Sequence, residues 1–267
     1  MIREPEVAGQ FYPATPAALK KVLEHLVEKK GKKEQALGLL SPHAGYVFSG
    51  QVAGIGFSKV KLTDTVIILG PNHTGRGAPF SIMTEGTWHM PMGNVEVDSE
   101  LAKNILEESK YLEEDVEAHI YEHSIEVQLP FLQFLLPKIK ILPIVLSAAD
   151  FMIYEEIGKA IAKTLKANKK NCLIIASSDM THHEPRKKAE EDDKLAIEAM
   201  LKLDAQELLR RIQKFNITMC GYGPAVSMLC AVKELGAKTA KLIKYQTSAD
   251  VTGDETSVVG YAGIMVL

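Results

Sequence analysis

Several signals are scarce or missing in this sequence, and each absence excludes a class of protein. The 267 residues carry a net charge of only -3, so the chain lacks the basic surplus expected of a protein that binds a phosphate backbone. No apolar run approaches the roughly 20 residues needed to span a bilayer, and no charged segment with an apolar stretch behind it opens the chain. These absences predict a cytoplasmic protein that binds neither nucleic acid nor membrane.

Cysteine is also scarce, with three residues in the chain and no CxxC pair. Neither a disulfide framework nor a zinc site made wholly of cysteines is therefore available. Cys172 and Cys230 lie within apolar runs and are interpreted as inert core residues. Cys220 lies just ahead of a predicted helix, where the positive end of the helix dipole favours a thiolate. We expect Cys220 to be the reactive cysteine, acting singly or beside histidines.

Segments typical of strands and of helices alternate along the chain, without an internal repeat or a low-complexity linker. A short β-branched run such as 65–69 is typical of a strand buried on both faces of a parallel sheet. Apolar residues at intervals of three and four predict amphipathic helices, for example at 16–30 and 154–167. The pattern predicts an α/β fold in a single domain over 1–267, with a mixed, mostly parallel sheet covered by helices on both faces.

Three of the predicted strands end directly in polar residues that can do chemistry. These residues are His43 after the first, His73 after the second, and Asp179 and His182 after the third. In open α/β sheets, ligands bind beyond the carboxyl ends of the strands, where such loops converge. A single loop histidine is more often a hydrogen-bonded structural residue, so the prediction depends on the shared position. We expect these side chains and Cys220 to meet in one cleft.

Two of these regions also have structural interpretations. Ser177, Ser178 and Asp179 are residue types that favour helix caps. His123 opens an apolar helix, together with Glu126 and Gln128, and is either a structural residue at the helix start or part of the wall of the site. The glycines around the second predicted strand end have neither the Walker nor the GxGxxG spacing, so nucleotide binding is not favoured.

The donor types indicate which metals such a cleft would select. Imidazole and thiolate suit iron, copper and zinc, whereas magnesium and calcium prefer a shell of oxygens. The candidate residues are far apart in the sequence, so the fold and not a local motif would have to assemble the site.

Five short motifs occur together in this chain. They are Pro42-His43-Ala44-Gly45-Tyr46, Gly70-Pro71-Asn72-His73, Glu122-His123-Ser124-Ile125-Glu126, Ser177-Ser178-Asp179 with His182, and Cys220-Gly221. In this combination the chain resembles the Memo family over nearly its whole length. That family is similar in fold to the class III extradiol ring-cleaving dioxygenases, which hold a ferrous ion with two His and one Glu and use a further His as acid or base.

The resemblance implies a role for each candidate residue. His43 and His73 match the two metal histidines, and Asp179 falls beside them as a further ligand. His182 matches the acid-base histidine. Cys220 stands in the position of the glutamate, as a ligand and a catalytic residue, and a thiolate there changes the charge and the redox behaviour of an iron ion.

Three functions remain open under this resemblance. The first is a metal-dependent, dioxygenase-like oxidoreductase of unknown substrate, with Fe²⁺ as the first candidate metal and copper or zinc as alternatives. The second is a non-catalytic protein whose cleft binds a metal or a peptide. The third is a metal-free, hydrolase-like enzyme in which a histidine polarises Cys220 as nucleophile. We expect a small molecule or a peptide in the cleft, and the sequence leaves the oligomeric state open.

Overall fold

The structure is a computed structural model that describes residues 1–28 and 31–267. Twelve strands of these residues form one sheet. The strands are β1 (Ile2–Arg3), β2 (Gly38–Ser41), β3 (Thr65–Pro71), β4 (Phe80–Ile82), β5 (Thr87–Met90), β6 (Gly93–Val97), β7 (Glu113–Glu114), β8 (Lys140–Leu146), β9 (Leu173–Ser177), β10 (His182–Glu184), β11 (Ala240–Thr247) and β12 (Val258–Val266).

Helices occupy most of the connections between these strands. They are α1 (Pro16–Leu26), α2 (Tyr46–Lys59), α3 (Ser99–Glu108), α4 (Glu117–Ile120), α5 (His123–Glu126), α6 (Leu129–Leu135), α7 (Phe151–Ala167), α8 (Arg186–Leu201), α9 (Ala205–Phe215), α10 (Tyr222–Glu234) and α11 (Ala249–Thr252). The helix predicted at 16–30 is shorter than expected, because Val27 is already extended. The last two residues of that prediction lie outside the described residues.

The sheet is mixed but has a parallel centre. Its order is β1-β5-β6-β8-β3-β9-β2-β12-β10, and β6, β8, β3, β9 and β2 run parallel to their neighbours within that series. Strand β12 closes the parallel part, pairing antiparallel with β2, β10 and β11. Strands β5 and β6 form an antiparallel hairpin. The predicted α/β class with a mixed, mostly parallel sheet is confirmed.

The central strands are buried on both faces. Every residue of β2, β3 and β9 is buried, and successive side chains of a strand point to opposite faces, so each face must be covered. Helix α10 packs on these three strands and against α7. At Gly158 the two helices approach so closely that a Cβ would lie 2.5 Å from the Ser227 carbonyl oxygen. This packing fixes α10, and with it the loop that carries Cys220.

The described helices include none that could cross a bilayer, since none is both long and apolar enough.

Candidate metal centre

The candidate site lies at the carboxyl edge of the parallel strands. Strands β2, β9 and β3 are adjacent, in that order, and run in the same direction, so their carboxyl ends lie side by side. His43 follows β2, His73 follows β3 and Asp179 follows β9, each within two residues of the strand end. The predicted convergence of these strand ends is therefore present in the structure.

Three histidines form a cluster that could hold a metal ion. His43, His73 and His123 each offer one ring nitrogen, and these nitrogens all lie within 4.8 Å of one another. The ring centroid of His43 is 5.2 Å from that of His73 and 5.4 Å from that of His123. The rings of His73 and His123 are stacked, with centroids 4.8 Å apart. Three donor nitrogens at these separations could hold a single metal ion.

His73 is held by a buried carboxylate. Glu122 accepts a hydrogen bond from His73 Nδ1 at 3.0 Å and another from the His73 backbone N–H at 2.7 Å. Burial alone would lower the pKa of His73, but the hydrogen bond and the charge of Glu122 outweigh it and raise that pKa. Burial would raise the pKa of Glu122, yet the contacts with His73, with His123 and with the Ser124 N–H lower it to about 2. Because Nδ1 donates, Nε2 of neutral His73 carries the lone pair.

His43 is held by a neutral network that fixes its tautomer. The Ser177 hydroxyl donates its single hydrogen to the Ser124 carbonyl oxygen at 2.7 Å and accepts from Gln128 Nε2 at 2.8 Å. The same Oγ lies 2.9 Å from His43 Nδ1, so Nδ1 must be the donor. Burial and the neighbouring histidines lower the pKa of His43 well below its ordinary value. His43 is therefore a neutral imidazole whose Nε2 can act as a ligand.

His123 lies on the wall of the site, which answers the question that its sequence position left open. It is the first residue of the one-turn helix α5, and its ring also meets that of Phe11 edge-on at 5.1 Å. Burial lowers the pKa of His123, which keeps the ring neutral and able to bind a metal. His123 is the cluster member that the sequence did not assign as a ligand.

Cys220 lies beside His43 at the start of α10. Its Sγ is 3.3 Å from His43 Nε2 and accepts a hydrogen bond from the Asp179 N–H, also at 3.3 Å. Cys220 is half-buried, whereas Cys172 and Cys230 are buried. Burial and the nearby Asp179 carboxylate raise the pKa of the Cys220 thiol, which opposes the effect expected from the helix dipole.

The two other predicted residues lie at the same edge. Asp179 Oδ1 accepts the backbone N–H of His43 at 2.8 Å, and burial raises the pKa of Asp179 to about 6. His182 begins β10, where its Nδ1 lies 3.0 Å from the Thr218 carbonyl oxygen. A carbonyl oxygen only accepts, so Nδ1 carries the hydrogen and Nε2 of neutral His182 is free to accept a proton. Electrostatic interactions of His182 reach both His43 and Asp179.

Of the residues predicted for the site, some belong to the three-histidine cluster and others lie outside it. His43 and His73 form the three-histidine cluster with His123, and Cys220 makes a hydrogen-bond contact with His43. The assignments of Cys220 and Asp179 as ligands, and of His182 and Cys220 as catalytic residues, stay predictions. The supporting residues that the sequence left unassigned are Glu122, Ser177 and Gln128.

The donor set fits a transition metal. All three clustered side chains are imidazoles, and in two of them Nδ1 donates to an acceptor, which leaves the lone pair of the neutral ring on Nε2. A histidine whose other nitrogen donates to a carboxylate, as in His73 and Glu122, is the usual arrangement around protein-bound zinc and related ions. Imidazole nitrogens suit zinc, copper and iron better than magnesium or calcium.

Comparisons with known proteins agree with the motifs. The family model described as "Memo-like protein" matches residues 3–265. A "MEMO1 family protein" of Methanococcoides burtonii is 45% identical over 267 residues, which cover 99% of this chain and 100% of the relative. Relatives of the same description from Methanocaldococcus jannaschii and Methanopyrus kandleri are 43% and 40% identical, over 99% of this chain and of each relative.

Proposed function

Because this chain belongs to the Memo family, we propose that it is a metal-binding protein whose ion is held by His43, His73 and His123. The observation that carries the proposal is the position of three imidazole nitrogens within 4.8 Å of one another at the carboxyl edge of the sheet. Ferrous iron is the first candidate, with copper and zinc as alternatives, because these ions accept imidazole donors. A small molecule or a peptide would bind beside the ion in the cleft.

Cys220 is proposed as a further ligand. Its Sγ lies 3.3 Å from His43 Nε2. A nitrogen and a sulfur bound to one tetrahedral ion, at about 2.0 Å and 2.3 Å from it, lie roughly 3.5 Å apart. The present separation is therefore compatible with one ion between the two atoms. Burial opposes loss of the thiol hydrogen, and a bound metal would favour it.

For a catalytic role, His182 is proposed as the group that moves a proton. A bound redox metal would supply the means to activate oxygen or water. The contact of His182 Nδ1 with the Thr218 carbonyl oxygen supports this role, because it leaves the lone pair of the neutral ring on Nε2. Asp179 orients the loop after β2 through the backbone N–H of His43.

Metal analysis of protein purified without oxygen tests the proposal. We expect about one iron, copper or zinc per chain in the wild type. His43→Ala, His73→Ala and His123→Ala should each lower the metal content and the Co²⁺ affinity, because each removes a ligand. His25→Ala is the matched control, since His25 is exposed on α1 and should leave binding unchanged. Absence of metal from wild-type protein that also fails to bind added Fe²⁺, Cu⁺, Zn²⁺ or Co²⁺ would refute the proposal.

The contact between Cys220 and His43 also favours a second candidate, a metal-free thiol enzyme. A nucleophilic cysteine needs a base that accepts its proton. Burial lowers the pKa of His43 and raises that of Cys220, so this pair resists the proton transfer that would form the thiolate. The metal-binding function is therefore the better supported of the two. Reaction of Cys220 with iodoacetamide at pH 7, faster than that of a free cysteine, would favour the thiol enzyme.

A further inference from the structure

Glu126, the last residue of α5, has a buried carboxylate that binds several residues of the chain's N-terminal segment. Glu126 accepts hydrogen bonds from the backbone N–H of Glu6 at 2.8 Å and of Val7 at 3.0 Å, and from the Tyr12 hydroxyl at 2.5 Å. It also forms an ion pair with Arg3 Nη1, and both side chains are almost wholly buried. Glu126 is thus bound by residues from four positions of a segment more than a hundred residues away in the chain.

Arg3 connects this carboxylate to the two short helices on either side of Glu122. Its Nε donates to the His119 carbonyl oxygen in α4 at 3.1 Å, and its Nη2 donates to the Glu122 carbonyl oxygen at 2.8 Å. The guanidinium lies 4.4 Å from the centre of the Trp88 ring, which covers it. One side chain therefore binds α4, the residue just before α5 and the carboxylate that ends α5.

The same N-terminal segment reaches His123 directly. Phe11 meets the ring of His123 edge-on at 5.1 Å, one residue before the tyrosine that binds Glu126. Helix α5 has only four residues, and a single turn does not hold its shape by its own hydrogen bonds. The orientation of His123 must therefore come from the contacts around α5.

From these contacts we infer that Arg3 and Glu126 are positioning residues that hold His123 in the metal-binding cluster. The inference rests on the proposed function for its metal-binding consequence. A buried ion pair seldom adds net stability over apolar side chains of the same volume, but it fixes orientation because each hydrogen bond has a direction. Here the bonds fix α5 at both ends, with His123 at the end that faces the site.

Two single variants test the positioning role. Arg3→Lys keeps the positive charge next to Glu126. Its single nitrogen replaces the three separate guanidinium nitrogens that bind Glu126 and the carbonyl oxygens of His119 and Glu122. Glu126→Gln keeps an acceptor for Tyr12 but removes the charge that pairs with Arg3. Each variant should bind Co²⁺ about 10- to 100-fold more weakly than the wild type, the range typical for loss of a residue that orients a ligand.

The matched control is Asp98→Asn. Asp98 caps α3 and accepts from the Thr65 hydroxyl at 2.7 Å, near the amino ends of the parallel strands. This variant should lose stability without loss of Co²⁺ affinity. Equal loss in the control and in both test variants would show a general effect of stability and would overturn the inference.

A second measurement needs no metal. In wild-type protein with labelled Phe and His side chains, NMR should detect a nuclear Overhauser effect between the rings of Phe11 and His123. Both test variants should lose this signal or weaken it, and the Asp98→Asn control should retain it. An unchanged signal in a folded Arg3→Lys protein would overturn the inference, and this variant alone decides it if Glu126→Gln does not fold.

The two measurements separate the inference from the proposed function. Absence of Co²⁺ binding in the wild type refutes the proposed function, and the ring contact then decides whether Arg3 and Glu126 position His123. If the wild type binds Co²⁺ and the variants bind it equally well, the inference fails while the proposed function stands.

Discussion

The two walls of the cleft hold the same type of residue by different means. On the wall formed by β3 and α5, here called the Glu122 wall, the Glu122 carboxylate accepts from His73 and borders His123. On the wall formed by β2 and β9, here called the Ser177 wall, a neutral hydroxyl accepts from His43. The pKa of His73 is raised by the hydrogen bond and charge of Glu122, which outweigh burial, whereas burial lowers the pKa of His43.

This difference shows how one buried site can hold two histidines of different basicity, His43 with a lowered pKa and His73 with a raised one. A histidine that donates to a carboxylate is a stronger electron donor to a metal than one that donates to a hydroxyl. The negative charge of Glu122 also favours a cation in the cleft. We therefore expect the Glu122 wall to contribute more to metal affinity than the Ser177 wall, and the following predictions test that order.

The largest effect is expected from Glu122→Gln. The amide removes the negative charge. It also places an NH₂ group against N–H donors of His73 and Ser124, whose hydrogen bonds the wild-type carboxylate accepts. We expect a loss of about 3 kcal/mol in the free energy of unfolding and a 10- to 100-fold loss of Co²⁺ affinity. Urea denaturation and Co²⁺ titration measure the two quantities. An effect below twofold on affinity would show that the carboxylate does not support the ligand.

Acid should affect the two walls in opposite directions. The pKa of Glu122 is lowered from an ordinary 4.5 to about 2, so its stabilising contribution is present above pH 4.5 and is lost as the pH falls toward 2. Burial raises the pKa of Asp179, beside His43, from 3.8 to about 6, so its charged form destabilises the fold above pH 6, and this cost disappears between pH 6 and 3.8.

Differences between variants isolate the two contributions. Subtracting the Glu122→Gln unfolding free energy from that of the wild type should give a curve that falls by roughly 3 kcal/mol between pH 4.5 and 2. The same difference for Asp179→Asn should rise as the pH falls from 6 to 3.8. If both difference curves changed in the same direction as the pH falls, the contrast between the two walls would be contradicted.

Ser177→Ala should have a smaller effect. The change removes the acceptor of His43 Nδ1, at a cost of about 1–3 kcal/mol for a buried N–H left without a partner. Gln128 Nε2 loses one acceptor but still donates to the Pro42 carbonyl oxygen at 3.0 Å. His43 is then free to change tautomer, and Co²⁺ affinity should fall by less than in Glu122→Gln. The nitrogen chemical shifts of His43 report its tautomer. A larger loss of affinity in Ser177→Ala than in Glu122→Gln would reverse the proposed order of the walls.

The smallest effect on affinity is expected from His182→Ala, which belongs to neither wall. His182 is bound to Thr218 and is not part of the three-histidine cluster, so Co²⁺ affinity should change by less than about twofold. If the protein has a turnover that requires proton transfer, its rate should fall by roughly a hundredfold or more. A loss of affinity equal to that of His43→Ala would make His182 a ligand.

Part of this site could be predicted from the sequence, because the end of a predicted strand indicates where the following loop lies in the fold. A buried parallel strand that ends in a polar loop delivers that loop to a known edge of the sheet, and this rule correctly brought His43, His73 and Asp179 to one edge. The fold class followed from the same alternation of strands and helices.

The remaining residues could not be assigned because their positions depend on contacts between distant segments. His123 belongs to a one-turn helix whose placement depends on Arg3, and no local pattern reveals that contact. A signal was nevertheless present, because Glu126 and Gln128 were unusual in so apolar a segment. Both are buried and hydrogen-bonded, Glu126 to the N-terminal segment and Gln128 to the network around Ser177.

The order of strands in the sheet has a consequence for when this site can exist. Strand β2, which leads to His43, has β9 and β12 as its neighbours, and His43 and Cys220 are 177 residues apart. During synthesis, β2 therefore emerges long before either neighbour, and pairing over such separations is slow because a large loop must close first. The cleft cannot be complete before the segment that carries Cys220, 177 residues after His43, has been synthesised. An ion held by both His43 and Cys220 would accordingly bind only after these two distant segments have been synthesised and brought together.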